Sequence, residues 1–536
     1  MSTTSNTCGT SGKRRPLSGY GGQTYDVVII GGGVNGGSAA QHLAAEGYSV
    51  LMFDKNDFGT GASSRSSRLL HCGLAGLAPS SSVWEFVRNP NKLRAALRSA
   101  REMSICRQEF ASTMPEYVRQ FTFCYPVYEG GPYSGWQMDA AFRMLGWVGA
   151  GDIPLDYRRL GKKQFGDIPM LSILHSQDRL RSVATFRECR FEWPERIVMN
   201  TVMEAERLGA SVRNYTELTR LERKGDGWEL VLSDSLDPST TSVRVGARKV
   251  MNFTGAWVDD VNKLAATPSS AQLIQRFKGV HIMVRLPVEH RDHGIFTFIH
   301  GHQLFYVVPF RGMHYIGPTE MPFTGSLDEV YATEDDIDVV LANARSILPG
   351  LDLKRSDVVY SWAGIEPRTY DKNNPEGTWS RQIHDLSASG MPNVMALTGA
   401  TIGRSRMSGR DAVTRMRAQL KPRGTPAKLS YTAKKRPHDP NSPPLLSDDV
   451  TVRLADIRYA IEEEHAETLS DIMFRRTGLG WNGSMAREGA QVAAQILGEC
   501  RGWSPERINE EVTRYYDQIS RLHGVNAVPA HAPTAG

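Results

Sequence analysis

The segment from Tyr25 to Asp54 constrains the fold of this chain more than any other. It has the sequence YDVVIIGGGVNGGSAAQHLAAEGYSVLMFD. The apolar, β-branched run over 25–30 predicts a buried parallel strand, and a helix over 38–47 and a second strand over 48–53 follow a glycine-rich turn. A strand, helix and strand in this order form the βαβ unit of a doubly wound sheet, so the sequence predicts an α/β fold.

Each glycine of the turn has its own task in dinucleotide binding. Gly31 permits the tight turn, Gly33 lets the backbone approach a pyrophosphate, and Gly36 allows the helix to pack on the strand. The helix N-terminus offers free N–H groups to the phosphates. Asp54 ends the second strand, where its carboxylate can accept hydrogen bonds from a ribose. A glycine-rich loop of another α/β protein is the alternative, but the register of all these parts favours a dinucleotide site.

The position of the motif and two further segments favour FAD over NAD. The motif lies near the start of the 536-residue chain, as it does in FAD enzymes of the glutathione-reductase type. Small hydroxyl residues and arginines follow in 57–73, where we expect Ser63, Ser64 and Arg68 to bind the cofactor; an ordinary polar loop is the alternative. Residues 247–260, which include Gly255, are similar to the strand and Gly-Ala-Trp segment that returns to FAD in this superfamily.

A strand, a glycine turn and a helix are predicted once more over residues 393–415. In FAD enzymes of this type, the returning unit sets a helix N-terminus against the flavin ring. We therefore expect Gly399, Thr401 and Ile402 to contact the cofactor.

These segments together resemble the FAD-dependent glycerol-3-phosphate dehydrogenases, within the D-amino-acid-oxidase-like superfamily. The family's block T-S-S-x-S-S-K-L-I-H-G-G-L-R-Y corresponds to residues 62–76, which have the sequence ASSRSSRLLHCGLAG. Further similar segments are 278–284, 315–320, Ser380-Arg381 and 456–477. The resemblance runs from about residue 25 to 520. It implies a Rossmann-like FAD-binding domain, an antiparallel-sheet substrate domain and a C-terminal helical accessory domain.

Composition and punctuation divide the chain into expected units. Residues 82–150 are expected to be mostly helical, and Gly225-Asp-Gly227 predicts a β-hairpin within 212–234. Six prolines in 421–449 indicate a linker. The expected units are a disordered tail at 1–24, FAD-binding segments at about 25–80, 197–270 and 393–420, a substrate domain at about 81–196 and 271–392, the linker, a helical domain at 450–524 and a second tail at 525–536.

Bulk properties exclude several classes of protein. The net charge of +5 is small for this length and gives no reason to expect nucleic-acid binding. Six widely scattered cysteines have no metal-binding spacing, so we expect no metal and a reducing, cytoplasmic compartment. The basic N-terminal segment lacks the apolar core of a secretory signal, although a transit peptide remains an alternative. No apolar stretch is long enough to predict a membrane-spanning helix.

The resemblance also implies partners for the protein. Family members pass electrons to a membrane quinone, so we expect peripheral association with the inner face of a membrane. The run Lys434-Lys-Arg436 is expected to be a solvated loop, with an anionic membrane surface as the alternative. Whether the protein is a homodimer stays open.

Two histidines are candidates for the base that oxidation of a secondary alcohol requires. The unperturbed pKa of histidine lies near neutrality, which suits this task. His281 lies in a segment similar to the family's substrate-facing strand, and we expect it to be the base or a substrate ligand. A core histidine with satisfied hydrogen bonds is the alternative. For His71, in the block beside the flavin, we expect a positioning role.

The resemblance places a phosphate-binding arginine at Arg381 and a second family arginine at the position of Glu366. Two further cations are lost: the family's H-G-G-L-R-Y becomes His71-Cys-Gly-Leu-Ala-Gly76, and its G-G-K-L-T-T becomes Thr398-Gly-Ala-Thr-Ile-Gly403. Three of the four cationic substrate contacts are therefore missing. Arg368, Arg404 and Arg406 are nearby replacements; otherwise the substrate is larger, less charged, or carries a cation that Glu366 binds.

Three functional hypotheses follow from these residues. The first is an FAD-dependent dehydrogenase that oxidises glycerol 3-phosphate or a related polyol phosphate, such as a tetritol phosphate, and passes electrons to quinone. The second is an amine or amino-acid oxidase of the same superfamily, which Glu366 facing an ammonium group would favour. The third is a non-catalytic flavoprotein, which the loss of the three cations permits.

Overall fold

The chain alternates strands and helices around two β-sheets and ends in a group of helices. The computed structural model describes residues 14–77, 86, 88–149, 153–265, 271–299, 303–432 and 434–524. Its strands are β1 (Thr24–Ile30), β2 (Val50–Phe53), β3 (Leu69–Leu70), β4 (Val118–Tyr128), β5 (Arg158–Gly161), β6 (Leu180–Phe191), β7 (Ser211–Arg213), β8 (Thr216–Lys224), β9 (Gly227–Asp234), β10 (Val243–Asn252), β11 (Ile274–Val284), β12 (His293–Ile299), β13 (Gln303–Phe310), β14 (Met313–Gly317), β15 (Met321–Pro322), β16 (Val358–Asp371), β17 (Asn374–Thr378), β18 (Gln382–Asp385) and β19 (Val394–Thr398).

The α-helices fall into a group between the strands and a group at the C-terminal end. A π-helix over Asp471–Arg476 belongs to the second group. The α-helices are α1 (Val34–Ala45), α2 (Pro90–Thr113), α3 (Gly135–Val148), α4 (Pro194–Arg207), α5 (Val258–Asn262), α6 (Glu334–Ile347), α7 (Ser405–Arg417), α8 (Leu454–Glu463), α9 (Ala490–Arg501) and α10 (Pro505–His523).

The predicted first strand, β1, lies at the centre of an eight-stranded sheet with the order β18-β19-β10-β1-β2-β7. Residues 25–30 of β1 are all buried, as expected for a parallel strand that is covered on both faces. β1 pairs in parallel with β2 and β10, and the predicted hairpin forms β8 and β9 beside β10. The predicted α/β class and the Rossmann-like domain are therefore confirmed.

The second sheet has eleven strands in the order β17-β16-β11-β14-β13-β12-β4-β6-β3, with β15 beside β11 and β5 beside β6. Its pairs are antiparallel except for β12 with β4. The register of β11 with β16 places His281 opposite Trp362 and Phe277 opposite Glu366. This sheet is the predicted antiparallel substrate-domain sheet, and one of its faces turns toward the first sheet.

Glycine at the turn is required by close packing. A Cβ atom at Gly36 would lie 1.9 Å from the carbonyl oxygen of Gly31, so no larger residue fits while α1 lies on β1. Gly31 itself has φ of +104°, a conformation that favours glycine. The α1 helix packs between α4 and α7, and most of its side chains are buried. The turn and the start of α1 are therefore held rigidly at the C-terminal end of β1.

The C-terminal helices are joined to the first domain by a buried ion cluster. Asp57 lies in the loop after β2, and its carboxylate accepts hydrogen bonds from Arg475 and from both terminal nitrogens of Arg476, the latter at 2.6 and 2.8 Å. All three side chains are at least nine-tenths buried. Burial opposes the ionisation of Asp57, but the two guanidinium groups outweigh it and hold its pKa well below its usual range.

Three expectations about the domain boundaries need correction. Residues 14–24 are ordered, with a 3-10 helix at Leu17–Tyr20, whereas residues 1–13 and 525–536 lie outside the described residues. The expected helical region 82–150 contains the long strand β4, and β18 joins the first sheet instead of the substrate domain.

The expected linker is packed against both neighbouring domains. His42 of α1 contacts the hydroxyl of Tyr431 at 2.7 Å, and Arg436 pairs with the buried Glu464. Leu445 and Leu446 are buried as well. Within the run 434–436, Lys434 and Lys435 are therefore exposed, as expected for a solvated loop, whereas Arg436 is largely buried in its ion pair with Glu464.

We predict that Asp57→Ala destabilises the protein strongly, by about 3–5 kcal/mol, because two buried guanidinium groups lose their shared partner. The exposed pair Arg458–Glu499 provides the control, since Arg458→Ala should cost no more than about 1 kcal/mol. Thermal and urea unfolding of the two variants measure the difference. Equal stability of the two variants would contradict the structural role of the cluster.

Candidate active site

A cavity of about 1140 Å³ opens between the two sheets. The first sheet contributes the turn after β1, the end of β2 and the segment after β10. The second sheet contributes side chains from β11, β13 and β16. The loop between β19 and α7 completes the wall. The segments singled out in the sequence for a cofactor and for a substrate therefore line one continuous space.

One end of the cavity has the shape and polarity that a dinucleotide requires. Gly31 and Gly33 line it, and the Oγ of Ser63 accepts a hydrogen bond from the N–H of Val34 at 3.1 Å. The Oδ1 of Asn35, in the first turn of α1, is buried and has no partner among the described residues. A bound group with a hydrogen-bond donor would satisfy this oxygen. The residues present thus fit FAD at this end.

Asp54 lines the same end and is fixed by the backbone. Its two carboxylate oxygens accept hydrogen bonds from the N–H groups of Gly32 and Asn56, at 2.7 and 2.9 Å. Burial raises the pKa of Asp54 to about 6, although these two hydrogen bonds lower it. Hydroxyl donors from a ribose would stabilise the ionised carboxylate in the same way as the backbone N–H groups do.

The two returning segments also reach the cavity, as predicted. Gly255, Gly399, Thr401 and Ile402 all line it. Gly255 and Gly399 have φ of +59° and +62°. A Cβ atom at Gly399 would lie 2.2 Å from the carbonyl oxygen of Ser380, so only glycine lets this loop pass so close to β18.

Two predicted cofactor ligands do not line the cavity. The hydroxyl of Ser64 donates a hydrogen bond to the carbonyl of Gly59. Arg68 forms a buried ion pair with Glu195 at 3.0 Å and lies 4.1 Å from the ring centre of Trp481. Both side chains hold the loop in place, and neither lines the cavity in which the cofactor would lie.

His281 lies on the cavity wall and is almost fully buried, with 3% of its surface exposed. Its ring stacks on Trp362 with centres 4.9 Å apart, and neither ring nitrogen has a partner among the described residues. Burial, together with the nearby Arg68, lowers its pKa to about 3. With so low a pKa the imidazole is uncharged near neutral pH, so His281 can serve as a neutral hydrogen-bonding group.

His71 is better suited to accept a proton. It lines the cavity, is half-buried and lies against Tyr306, with ring centres 5.8 Å apart. Burial and the nearby Arg107 lower its pKa, and the carboxylates of Glu188 and Glu366 only partly oppose that shift. The imidazole is therefore neutral near pH 7 while remaining accessible from the cavity.

Glu366 belongs to a polar group that sequence reasoning did not assemble. Its carboxylate accepts hydrogen bonds from Trp379 at 2.5 Å and from Arg368 at 2.9 Å. Arg368 also pairs with Glu320 at 2.9 Å and is sandwiched between the rings of Phe277 and Trp379. Burial raises the pKa of Glu320, and Arg368 opposes this shift. Two carboxylates thus neutralise the one guanidinium of the group.

Arg381 is not among the described residues that line the cavity. Its guanidinium pairs with Asp411 of α7. By contrast, Arg404, which the sequence offered only as a replacement cation, lines the cavity. The signal for Arg404 in the sequence was its position directly after the glycine turn at 399–403; the signal for Glu320 was the similar segment 315–320.

The fold and the cavity define a flavin-binding oxidoreductase. The family model for FAD-dependent oxidoreductases matches residues 26–406, more than half of the chain, and a model for the C-terminal domain of alpha-glycerophosphate oxidase matches residues 424–508. The chain belongs to the FAD-dependent oxidoreductase family, and FAD is its cofactor.

Individual relatives support this assignment over nearly the whole length. A glycerol-3-phosphate dehydrogenase of Synechocystis is 25% identical over 94% of this chain and 97% of the relative. A D-erythritol 1-phosphate dehydrogenase of Brucella abortus is 26% identical over 71% of each protein. The crystal structure of glycerol-3-phosphate dehydrogenase from Bacillus halodurans with FAD has a TM-score of 0.70 at 17% identity, covers 96% of this chain and 98% of that protein, and thus shows the same fold.

Proposed function

We propose that the protein oxidises a secondary hydroxyl group of a phosphorylated polyol to a ketone and passes the electrons to quinone. The observation that carries this proposal is the single cavity, in which the dinucleotide end and a polar wall with His71 face one space. The names of the relatives and the glycerophosphate-oxidase-type C-terminal domain support the substrate class.

Different residues of the chain carry out different parts of the proposed reaction. FAD, when bound, supplies the acceptor for the hydride that leaves the carbinol carbon. His71 takes the hydroxyl proton, which its neutral ring can accept at Nδ1 or Nε2. Buried side chains around it keep water away from the developing ketone. His281 lines the wall as an uncharged hydrogen-bonding group for substrate oxygens.

Charge on the wall restricts how the substrate lies. The dianionic phosphate cannot approach Glu366 and Glu320 without repulsion of about 3 kcal/mol for each pair of charges at roughly 5 Å and an effective dielectric constant near 20. Hydroxyl groups, by contrast, can donate hydrogen bonds to these carboxylates. We therefore expect the wall at β16 to receive the hydroxylated part of the substrate, which favours a polyol longer than glycerol.

The second candidate function is oxidation of an amine or amino acid. One observation favours it: Glu320, Glu366 and Glu376 all line the cavity close to a single cation, Arg368. An ammonium group would compensate this excess of negative charge. The C-terminal domain match favours the polyol phosphate instead.

Anaerobic bleaching of the flavin absorbance distinguishes these functions. We predict that the purified, yellow protein is bleached by a tetritol phosphate and more slowly by glycerol 3-phosphate, because the carboxylate wall suits additional hydroxyl groups. Unphosphorylated polyols and amino acids serve as controls at equal concentration. Bleaching by amino acids alone would establish the second function, and no bleaching by any compound would contradict both.

The pH dependence of flavin reduction tests the assignment of the base. In the wild type the rate should fall about tenfold per pH unit below the pKa of His71, because only the neutral imidazole accepts the proton. His71→Asn should lower the rate by roughly 10²- to 10⁴-fold and remove this dependence. His281→Asn is the matched control: its pKa of about 3 keeps it neutral from pH 5 to 9, so the acidic limb should remain. The opposite pattern would make His281 the base.

We also propose peripheral association with the cytoplasmic face of an anionic membrane. Arg94, Arg98 and Arg101 are exposed along α2, and residues 88–101 contain no aspartate or glutamate. On the neighbouring helix α3, Trp136 and Trp147 are 64% and 82% exposed. Cations and tryptophans on adjacent surfaces are typical of contact with anionic headgroups.

This surface, defined by Arg94, Arg98, Arg101, Trp136 and Trp147, lies close to the cavity. Ser99 and Met103, on the other side of α2, line the cavity wall. A quinone reaching the protein from a bilayer at this surface would have only a short path to the cofactor. No helix within the described ranges is long and apolar enough to cross a bilayer.

We predict that replacing Arg94, Arg98 and Arg101 by glutamine weakens flotation with anionic liposomes on the order of 100-fold, at about 1 kcal/mol for each cation. The same replacement of Arg220, Lys224 and Arg244, which are exposed on the β8–β10 hairpin region, removes equal charge elsewhere and should have little effect. Equal losses in both triple variants would show a nonspecific charge effect and contradict this docking surface.

A further inference from the structure

Among the described residues, five cationic side chains line the cavity, and three of them are hydrogen-bonded to a carboxylate. Lys55 pairs with Asp328, Lys278 with Asp336, and Arg368 with Glu320 and Glu366. The remaining two cations are Arg65 and Arg404. An anionic substrate group gains most from a cation that donates no hydrogen bond to a carboxylate, so these two residues are the candidates for binding it.

The guanidinium of Arg404 is held in place but is only loosely paired with a carboxylate. One terminal nitrogen, Nη2, donates to the hydroxyl of Ser99 on α2. The carboxylate of Glu102 lies 3.9 Å from Nε, within ion-pair distance but beyond hydrogen-bond distance. The side chain is 12% exposed, and Nε is buried and has no hydrogen-bond partner among the described residues. A buried cation with an unused donor is costly unless an anion completes it.

The surroundings place Arg404 on the same wall as His71. A Cβ atom at Gly403 would lie 2.8 Å from Leu70, the residue before His71, so the two segments are in direct contact. A Cβ atom at Gly73 would likewise meet Ala100, next to Ser99, at 2.8 Å. The segments that carry His71, Ser99 and Arg404 therefore converge at one place on the cavity wall.

We propose that Arg404 is the residue that binds the anionic group of the substrate, through its Nε and terminal N–H donors. This inference rests on the proposed oxidation of a phosphorylated polyol. It implies that the phosphate lies beside the segment of His71, while the hydroxylated part of the substrate extends toward Glu366. Arg404 thus sets the direction in which the substrate enters the cavity.

The other arginines fit this task less well. Arg65 donates to the carbonyl of Val330, and its charge is close to the cations Arg475 and Arg521 in the second half of the chain. Arg381 is neutralised by Asp411 and does not line the cavity, although its charge is close enough to Arg404 to add to the positive potential there. Of the described cations, only Arg404 lies beside His71 and has donors that no carboxylate accepts from.

Two variants and one matched control test the proposal. Arg404→Gln removes the charge while keeping a hydrogen-bonding group, and Arg404→Lys keeps a point charge without the planar fork. Arg410→Ala is the control, because Arg410 lies on α7, which begins directly after Arg404, and pairs with Glu109 of α2 outside the cavity. FAD content and the melting temperature of each holoenzyme verify folding.

The first readout is binding of inorganic phosphate to the oxidised holoenzyme, which is measured through the change in the flavin absorbance spectrum. We expect saturable binding in the wild type and in Arg410→Ala, weaker binding in Arg404→Lys and loss of binding in Arg404→Gln. This measurement does not depend on turnover. Absence of phosphate binding in the wild type would overturn the assignment of an anion site to Arg404.

The second readout is kcat/KM for flavin reduction by polyol phosphates. Arg404→Gln should lower it by about 30-fold or more, mostly through KM, since a buried charge pair is lost. Reduction by the corresponding unphosphorylated polyol should change much less. If Arg65→Gln or Arg381→Gln abolishes phosphate binding while Arg404→Gln retains it, the proposal is wrong. If phosphate binds as expected but no polyol phosphate reduces the flavin, the proposed function fails and the anion site stands.

Discussion

The contact between the loop after β2 and the face of the second sheet is the constraint on which the rest of the structure depends. A Cβ atom at Gly364 would lie 2.3 Å from the carbonyl oxygen of Arg65, so the loop can reach the sheet only because β16 has glycine there. The carbonyls of Ser66 and Ser67 accept hydrogen bonds from Trp362 and Tyr315, at 3.3 and 2.6 Å. These bonds fix the distance between the cofactor domain and the substrate wall.

The same loop links three parts of the molecule. At its start Asp57 binds the arginines of the C-terminal π-helix, in the middle Ser63 bonds to the first turn of α1, and at its end Arg68 pairs with Glu195 against Trp481. His71 follows directly. A displacement of any one of these anchors would therefore move His71, the proposed base, relative to the cofactor site. Buried charged side chains of this loop, such as Asp57 and Arg68, therefore hold the loop in position and do not line the cavity.

Local signals in the sequence predicted the parts of the fold that depend on local chemistry. The strand, the glycine turn and α1 follow from steric rules at Gly31 and Gly36, and the hairpin follows from its turn residues. Arg68 and Arg381 could not be placed in this way, because their partners Glu195 and Asp411 are 127 and 30 residues away in the chain. Side-chain direction there is set by tertiary packing, which a linear pattern does not encode.

The sequence likewise indicated only part of the charge on the cavity wall at β16. The exchange of a family arginine for Glu366 indicated a changed pocket, but the register of β11 with β16 was needed to bring Phe277 beside it. The strand β4 was missed within a helical region, although its aromatic and β-branched residues are typical of strands. The proposal for Arg404 likewise depends on the packing of the turn after β19 against α2, which the sequence does not show.

A crystal structure of the holoenzyme with a polyol phosphate bound tests the central claim most directly. The account predicts one ligand in the cavity between the two sheets, with its phosphate within hydrogen-bond distance of Arg404, its reacting carbon beside His71 and its outer hydroxyl groups directed to Glu366. A phosphate bound at Arg368 or Arg381, with Arg404 remaining bonded only to Ser99, would contradict it.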